Sequence, residues 1–214
     1  MYVPKRYQEP DLAVVEALID ANDFATVVSY DGEQPVASHL LLALRHRDDG
    51  SLVLNGHMAR ANRQWRSFSP QQDVLAIFSG PHIYISPRWY NHVNVPTWNY
   101  MAAHVYGRPR LITDDSELRA LLRSLVDKHE AGSGATPVYG LETLPEDFLA
   151  QQMKAIVGFQ IEVTRIEASF KLSQNRDAES YDNVVKELYR RPDENSRAVA
   201  DAMRQRRGQL FGTE

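Results

Sequence analysis

The run Phe24-Ala-Thr-Val-Val-Ser-Tyr-Asp-Gly-Glu-Gln-Pro-Val-Ala-Ser-His-Leu-Leu-Leu-Ala-Leu44 decides the fold. β-Branched and aromatic residues fill 24–30, Asp31-Gly32 supplies a tight turn, and an apolar run resumes at Pro35, so the stretch reads as an antiparallel hairpin. A second turn at Asp48-Asp-Gly50 leads into a third strand, Ser51–Asn55, and 59–68 has helix-forming composition with Trp65 and Phe68 on one side. Further strands are predicted at Val74–Phe78, His82–Ser86 and Met101–Ile112, the last long enough to bend around a barrel edge. Val157, Phe159, Ile161 and Val163 alternate with polar or small residues, the pattern of a half-buried strand that closes a sheet.

Helices surround these strands. Pro10-Asp11 opens a short one with Leu12, Val15, Leu18 and Ile19 at helical spacing, and Asp114-Asp-Ser-Glu117 caps another whose apolar stripe runs to Gly132. A flexible linker at 131–137 precedes a helical piece from Pro145 to Met153. Two helices follow Asp177, one ending before Pro192 and a more polar one over 196–211. Short strands with turn signals and few helices point to a mainly β (α+β) fold, an antiparallel barrel with peripheral helices. The expected organisation is a barrel domain over 1–176 and a helical extension, packed on it, over 177–214.

Composition narrows the chemistry. An apolar share of 43% and a charged share of 24% suit an ordinary soluble chain. A net charge of −4 gives no global attraction to nucleic acid. The chain has no cysteine, which excludes disulfides, iron–sulfur clusters and a thiolate nucleophile. The first residues lack the apolar core of a signal peptide and no apolar run reaches about 18 residues, so a cytoplasmic location away from membranes is expected. Seven histidines fall in no metal-binding pattern, so no metal is expected. Walker, Rossmann and G-x-S-x-G signatures are absent.

Three stretches could carry chemistry. Asn55-Gly-His-Met-Ala-Arg-Ala-Asn62 reads as a strand end, a glycine-relaxed loop and a helix start, where Arg60 could fork onto a phosphate. A polar turn with a solvated arginine has the same composition, so spacing leaves both readings open. Ala37-Ser38-His39-Leu40 places polar groups on an apolar strand, as a flat aromatic ligand needing donors at its edge would require, or as a buried histidine satisfied by backbone would produce. Trp89-Tyr90 and Trp98-Asn99-Tyr100 gather aromatics around one loop, over a cofactor, at an interface or in the core.

Taken in order, Met1-Tyr-Val-Pro-Lys5, Ala37-Ser-His39, Gly56-His-Met-Ala-Arg-Ala-Asn62, Phe78-Ser-Gly-Pro-His-Ile-Tyr-Ile-Ser-Pro-Arg-Trp-Tyr90, Val95-Pro-Thr-Trp-Asn-Tyr100, His104-Val-Tyr-Gly107 and Lys171-Leu-Ser-Gln-Asn-Arg176 resemble the PaiB family from the first residue to about Arg176. The resemblance implies an FMN-binding split β-barrel of the pyridoxamine-phosphate-oxidase type, a homodimer with FMN between subunits, and a negative transcriptional regulator or flavin-based sensor. It further implies Ser38, His39 and Leu40 beside the isoalloxazine, and His57, Ala59, Arg60 and Asn62 at the phosphate. Trp98, Asn99, Lys171 and Gln174 would approach the flavin from elsewhere in the dimer. No catalytic residue is assigned. The final Trp-Arg motif of the true oxidases is missing, since the last tryptophan is Trp98. An FMN-dependent oxidoreductase using NAD(P)H or a small reducible substrate, and a haem-binding split barrel, are the alternatives. DNA is a further candidate partner, although the seven basic residues among 186–207 face four acidic ones, as on a solvated helix face.

Overall fold

The computed structural model describes residues 1–131, 134 and 139–212. Most of the linker read at 131–137 therefore lies outside the described residues. Six strands, β1 (Phe24–Tyr30), β2 (Pro35–His46), β3 (Leu52–Ala59), β4 (Val74–Ile85), β5 (Thr97–Ile112) and β6 (Ile156–Lys171), close a barrel in the order β1-β2-β3-β6-β5-β4. Among the described residues five helices accompany them: α1 (Leu12–Ala21), α2 (Asp115–Glu130), α3 (Glu146–Lys154), α4 (Ala178–Tyr189) and α5 (Glu194–Phe211). The expected fold class holds. Two compact units interleave along the chain, Asp23–Ile77 with Val105–Ile166, and Met1–Asn22 with Phe78–His104 and Glu167–Glu214. The helices expected as an extension from 177 therefore share a unit with α1 and with stretches of β4, β5 and β6.

In the barrel unit the deciding hairpin forms as read. The Asp31 side chain accepts from the amides of Glu33 and Gln34, each at 2.9 Å, while Gly32 takes φ 104°, where a glycine avoids the steric cost of a Cβ. Register pairs Thr26 with His39 and Val27 with Ser38. Directly opposed residues share a face, so Ala25, Val27, Ser38, Leu40 and Leu42 lie on one side, and Phe24, Thr26, Tyr30, Ala37 and His39 on the other. Ala25, Val27 and Leu42 are fully buried, whereas Phe24 is 71% exposed, which identifies the first side as the barrel interior.

β3 runs four residues past its expected end, pairing Gly56 with Phe159 and Ala59 with Ile156. Gly56 is therefore no relaxed loop. A Cβ there would stand 2.5 Å from Leu42 Cδ2 and 2.9 Å from Phe159 Cζ, so the glycine serves close packing inside the barrel. The expected helix over 59–68 shrinks to a 3-10 turn, Arg63–Ser67, because its first residues belong to the strand. Outside the barrel, Leu118, Leu121 and Leu125 of α2 and Leu149 and Met153 of α3 pack with Ala43 and Ile112 into a second apolar layer.

In the other unit Val15, Leu18 and Ile19 of α1, Tyr181, Val184 and Leu188 of α4, and Val199, Ala200 and Met203 of α5 supply the buried apolar faces. Asp177 and Asp193 cap α4 and α5 by accepting from the amides of Ser180 and Ser196. The break expected at Ser79-Gly80-Pro81 does not occur and β4 is continuous. Gly80 is buried, and Pro81 lies beyond Ile77, the last residue of β4 that pairs with β1, so its missing N–H leaves that ladder intact.

Candidate functional site: a basic pocket on the 3-10 turn

The turn after β3 builds a pocket of about 480 Å³. Asn62 caps it: Oδ1 accepts from the Gln64 amide at 3.0 Å and Nδ2 donates to Ser38 Oγ at 2.7 Å, which fastens the turn to β2. A 3-10 turn repeats every three residues, so side chains at i and i+3 eclipse. Gln64 and Ser67 share one side and Arg63 and Arg66 another, and all four line the pocket.

Gln64 is 6% exposed. Its Nε2 donates to Val27 O at 2.9 Å and to Val36 O and Ser29 Oγ at 3.2 Å; two carbonyl acceptors fix that end as the amide nitrogen. Oε1 is then a buried acceptor with no partner. Arg63 and Arg66 are exposed and make no ion pair among the described residues; Arg66 lies over the Trp65 ring, 5.4 Å from its centroid. Asp31 is the acid in the lining, and the amides of Gln34 and then Glu33 hold its carboxyl below the usual range while occupying Oδ1.

The predicted site residues separate. Ser38 and Asn62 meet in this pocket. His39 lies on the outer face, its Nδ1 3.0 Å from Thr26 Oγ1 and its ring stacked on Phe24, so it cannot share a face with Ser38 and Leu40. Arg60 turns elsewhere: Nε donates to Lys154 O and Nη2 to Ile156 O, both at 2.8 Å. His57 opposes Gly158 in register, and a Cβ on Gly158 would stand 2.6 Å from Leu118 Cδ1, so the imidazole faces the α2 layer. Burial pushes its pKa down, and Nδ1 has no partner among the described residues. Ala59, exposed, ends β3 opposite Ile156.

In the other unit Asn99 is fully buried, its Nδ2 donating to Ser173 Oγ at 2.9 Å and reaching Met203 Sδ at 3.4 Å, while Oδ1 accepts from Ser173 Oγ at 3.2 Å. Gln174 is closed into its own turn by the Leu172 amide and Phe170 O. Trp98 is half exposed beside Tyr84 and His82. Lys171 donates to Thr97 Oγ1, and its pKa is lowered by burial and then by Arg176. The sequence reading missed Arg63, Gln64, Arg66 and Ser67. The signal was present as an Asn cap followed by arginines three apart, but it is legible only once the turn is known to be 3-10.

A closed six-stranded antiparallel barrel with flanking helices places the chain among the split barrels. Its fold matches the flavocytochrome Anf3 from Azotobacter vinelandii with a TM-score of 0.58 at 19% identity, over 79% of this chain and 72% of that one. The FAD and heme binding protein from Mycobacterium smegmatis gives 0.58 at 17% identity, over 77% and 73%. The chain belongs to the family described as "Putative FMN-binding domain", which matches residues 1–165. It is 38% identical over 203 residues to the Protease synthase and sporulation protein PAI 2 of Bacillus subtilis, covering 95% of this chain and 96% of that protein. The resemblance read from the ordered motifs holds.

Proposed function

We propose that the chain binds FMN as a homodimer and acts as a PaiB-type negative regulator or flavin-based sensor. The pocket on the 3-10 turn carries this reading: two guanidinium groups with no ion-pair partner among the described residues line one small space with Ser38 and Asn62. Arg63 and Arg66, with Ser38 and Asn62, suit a phosphate. His39 and Thr26 are polar groups at hand for a ring laid on the outer face of β1 and β2, where exposed Phe24 and Tyr30 offer a surface to a second copy. Arg60 leaves the proposed contact set because it does not line this pocket, and Asn99 and Gln174 because their side chains are tied to the fold. When bound, FMN supplies hydride and one-electron chemistry through its isoalloxazine.

Regulation through the C-terminal helices acting as a polycation finds little support. Of the seven basic residues among 186–207, Arg190 pairs with Glu187, Arg191 with Asp193, Arg206 with Glu9 and Arg207 with Asp182. Among the described residues no helix is long and apolar enough to cross a membrane.

Titration of the apo protein into FMN, followed by flavin fluorescence, tests the proposal. Saturable quenching that weakens in Arg63→Ala and Arg66→Ala is expected. Absence of binding, or equal affinity in both variants, rejects it.

A further inference from the structure

The segment that builds the basic pocket also walls a second, larger cavity within the barrel unit. A cleft of about 770 Å³ opens between α2 and α3, a size typical of small-molecule sites. Its floor is apolar, made by Ile112, Leu118, Met153 and Val157, and the Trp65 ring lines it. Gly158 keeps that floor low beneath Leu118.

Charge at the edge is uneven. Arg119, from α2, is forked onto Glu146 of α3, with Nη1 3.2 Å from Oε2, so that pair is neutral. Asp114 is occupied as the cap of α2, accepting from Ser116 Oγ and the Glu117 amide. Asp115 is the carboxylate of the lining without a partner among the described residues. Arg123 is paired with Glu142, so two cationic groups stand against Asp115: the Lys154 ammonium, with no ion-pair partner among the described residues, and Arg60, whose guanidinium is pinned in place by two carbonyls through Nε and Nη2 and keeps Nη1 free. A guanidinium immobilised by backbone acceptors has already lost its rotamer freedom, so a ligand meets a preorganised donor.

We infer that this cleft binds an amphipathic organic anion, its apolar chain or ring on the floor against Trp65 and its carboxylate on Arg60 Nη1 and Lys154 Nζ. The ligand class follows from the pairing of an apolar floor with two cations at one edge. The site is separate from the proposed flavin pocket, although residues 60–67 contribute to both, so a ligand here can alter the flavin affinity of a sensor.

The test uses the full-length apo protein without FMN and two probes, decanoate and 8-anilinonaphthalene-1-sulfonate, read by Trp65 fluorescence and by calorimetry. One-to-one binding of decanoate is expected, with a fluorescence change that disappears in Trp65→Phe. Ala150→Trp, which fills the cleft from α3, and Lys154→Glu, which reverses an exposed charge, should each weaken binding by about tenfold or more. Lys154→Glu keeps the proposal falsifiable should Ala150→Trp fail to fold. Arg63→Ala should leave decanoate affinity unchanged even if it abolishes FMN binding, so the two readings fail separately. Absence of saturable binding, or undiminished affinity in Lys154→Glu, overturns the inference.

Discussion

Arg60 and Arg63 are three residues apart and do different work, because β3 ends between them and the chain enters a 3-10 turn. Arg60 donates through Nε and Nη2 to Lys154 O and Ile156 O and ties the end of β3 to β6, whereas Arg63 has no ion-pair partner among the described residues. Arg63→Ala is therefore expected to weaken FMN binding by about 1.5–3 kcal/mol, the range for a charge-assisted hydrogen bond, and Arg60→Ala to leave it nearly unchanged while lowering stability. Paired fluorescence titrations and urea melts distinguish these outcomes; a larger FMN loss in Arg60→Ala would return that residue to the phosphate. His57 gives a pH prediction. Burial depresses its folded pKa, so below about pH 6.5 the unfolded chain takes up a proton that the folded chain resists, and stability falls as pH drops. Above that pH both states hold the imidazole neutral and the penalty is absent. Urea midpoints at pH 7.5 and pH 5.5 should diverge in the wild type and diverge less in His57→Gln; an equal divergence would assign the effect to other groups.

At the scale of elements, α2 sits against the barrel because β6 offers it a residue without a side chain. A Cβ on Gly158 would stand 2.6 Å from Leu118 Cδ1 and 3.4 Å from Ile112 Cβ, inside a layer that also holds Leu121, Leu125 and Met153. Gly158→Ala should cost about 1–3 kcal/mol by overpacking, and Leu118→Ala in the same chain should recover part of it, a coupling that denaturant titration of the double-mutant cycle measures. Additive losses would show that α2 does not press on Gly158. Elements of this kind were legible where local chemistry is strong: Asp114 caps α2 as its capping-box pattern announced, while Asp11, Asp177 and Asp193 cap helices whose caps the pattern did not single out. Glycines misled, since Gly56 and Gly80 look like breaks locally and prove to be packing positions. Only the partner strands reveal that, and those partners are remote in sequence. The candidate site was half legible for the same reason. Ser38 and Asn62 stand out as polar residues at a strand and a turn, but which arginine joins them depends on where β3 stops, and pairing with β6 decides that.

At the scale of the molecule, the order of motifs gave the family and the fold, while the interleaving of two units within β4, β5 and β6 was hidden. A strand's alternation continues smoothly from one unit into the next, and no composition shift marks Ile77, His104 or Ile166. Assembly is the remaining whole-molecule question, and the outer face of β1 and β2 bears on it. Phe24 is 71% exposed and Tyr30 45%, with exposed Pro35, Ala37 and His39 beside them on the same side. An exposed aromatic and apolar sheet face with few charges has the composition of an interface core rather than of solvated surface. A stable pair of copies needs about 800 Å² from each partner, so this face must be joined by neighbouring surface and cannot tolerate a charge at its centre. The expected outcome is a particle of twice 24.4 kDa in light scattering, reduced to a single chain in Phe24→Glu with its far-UV dichroism intact. FMN affinity should fall in the same variant, since the proposed ring site at His39 lies on that face. A monomeric wild type that still binds FMN would detach flavin binding from assembly and leave the basic pocket as the whole of the site.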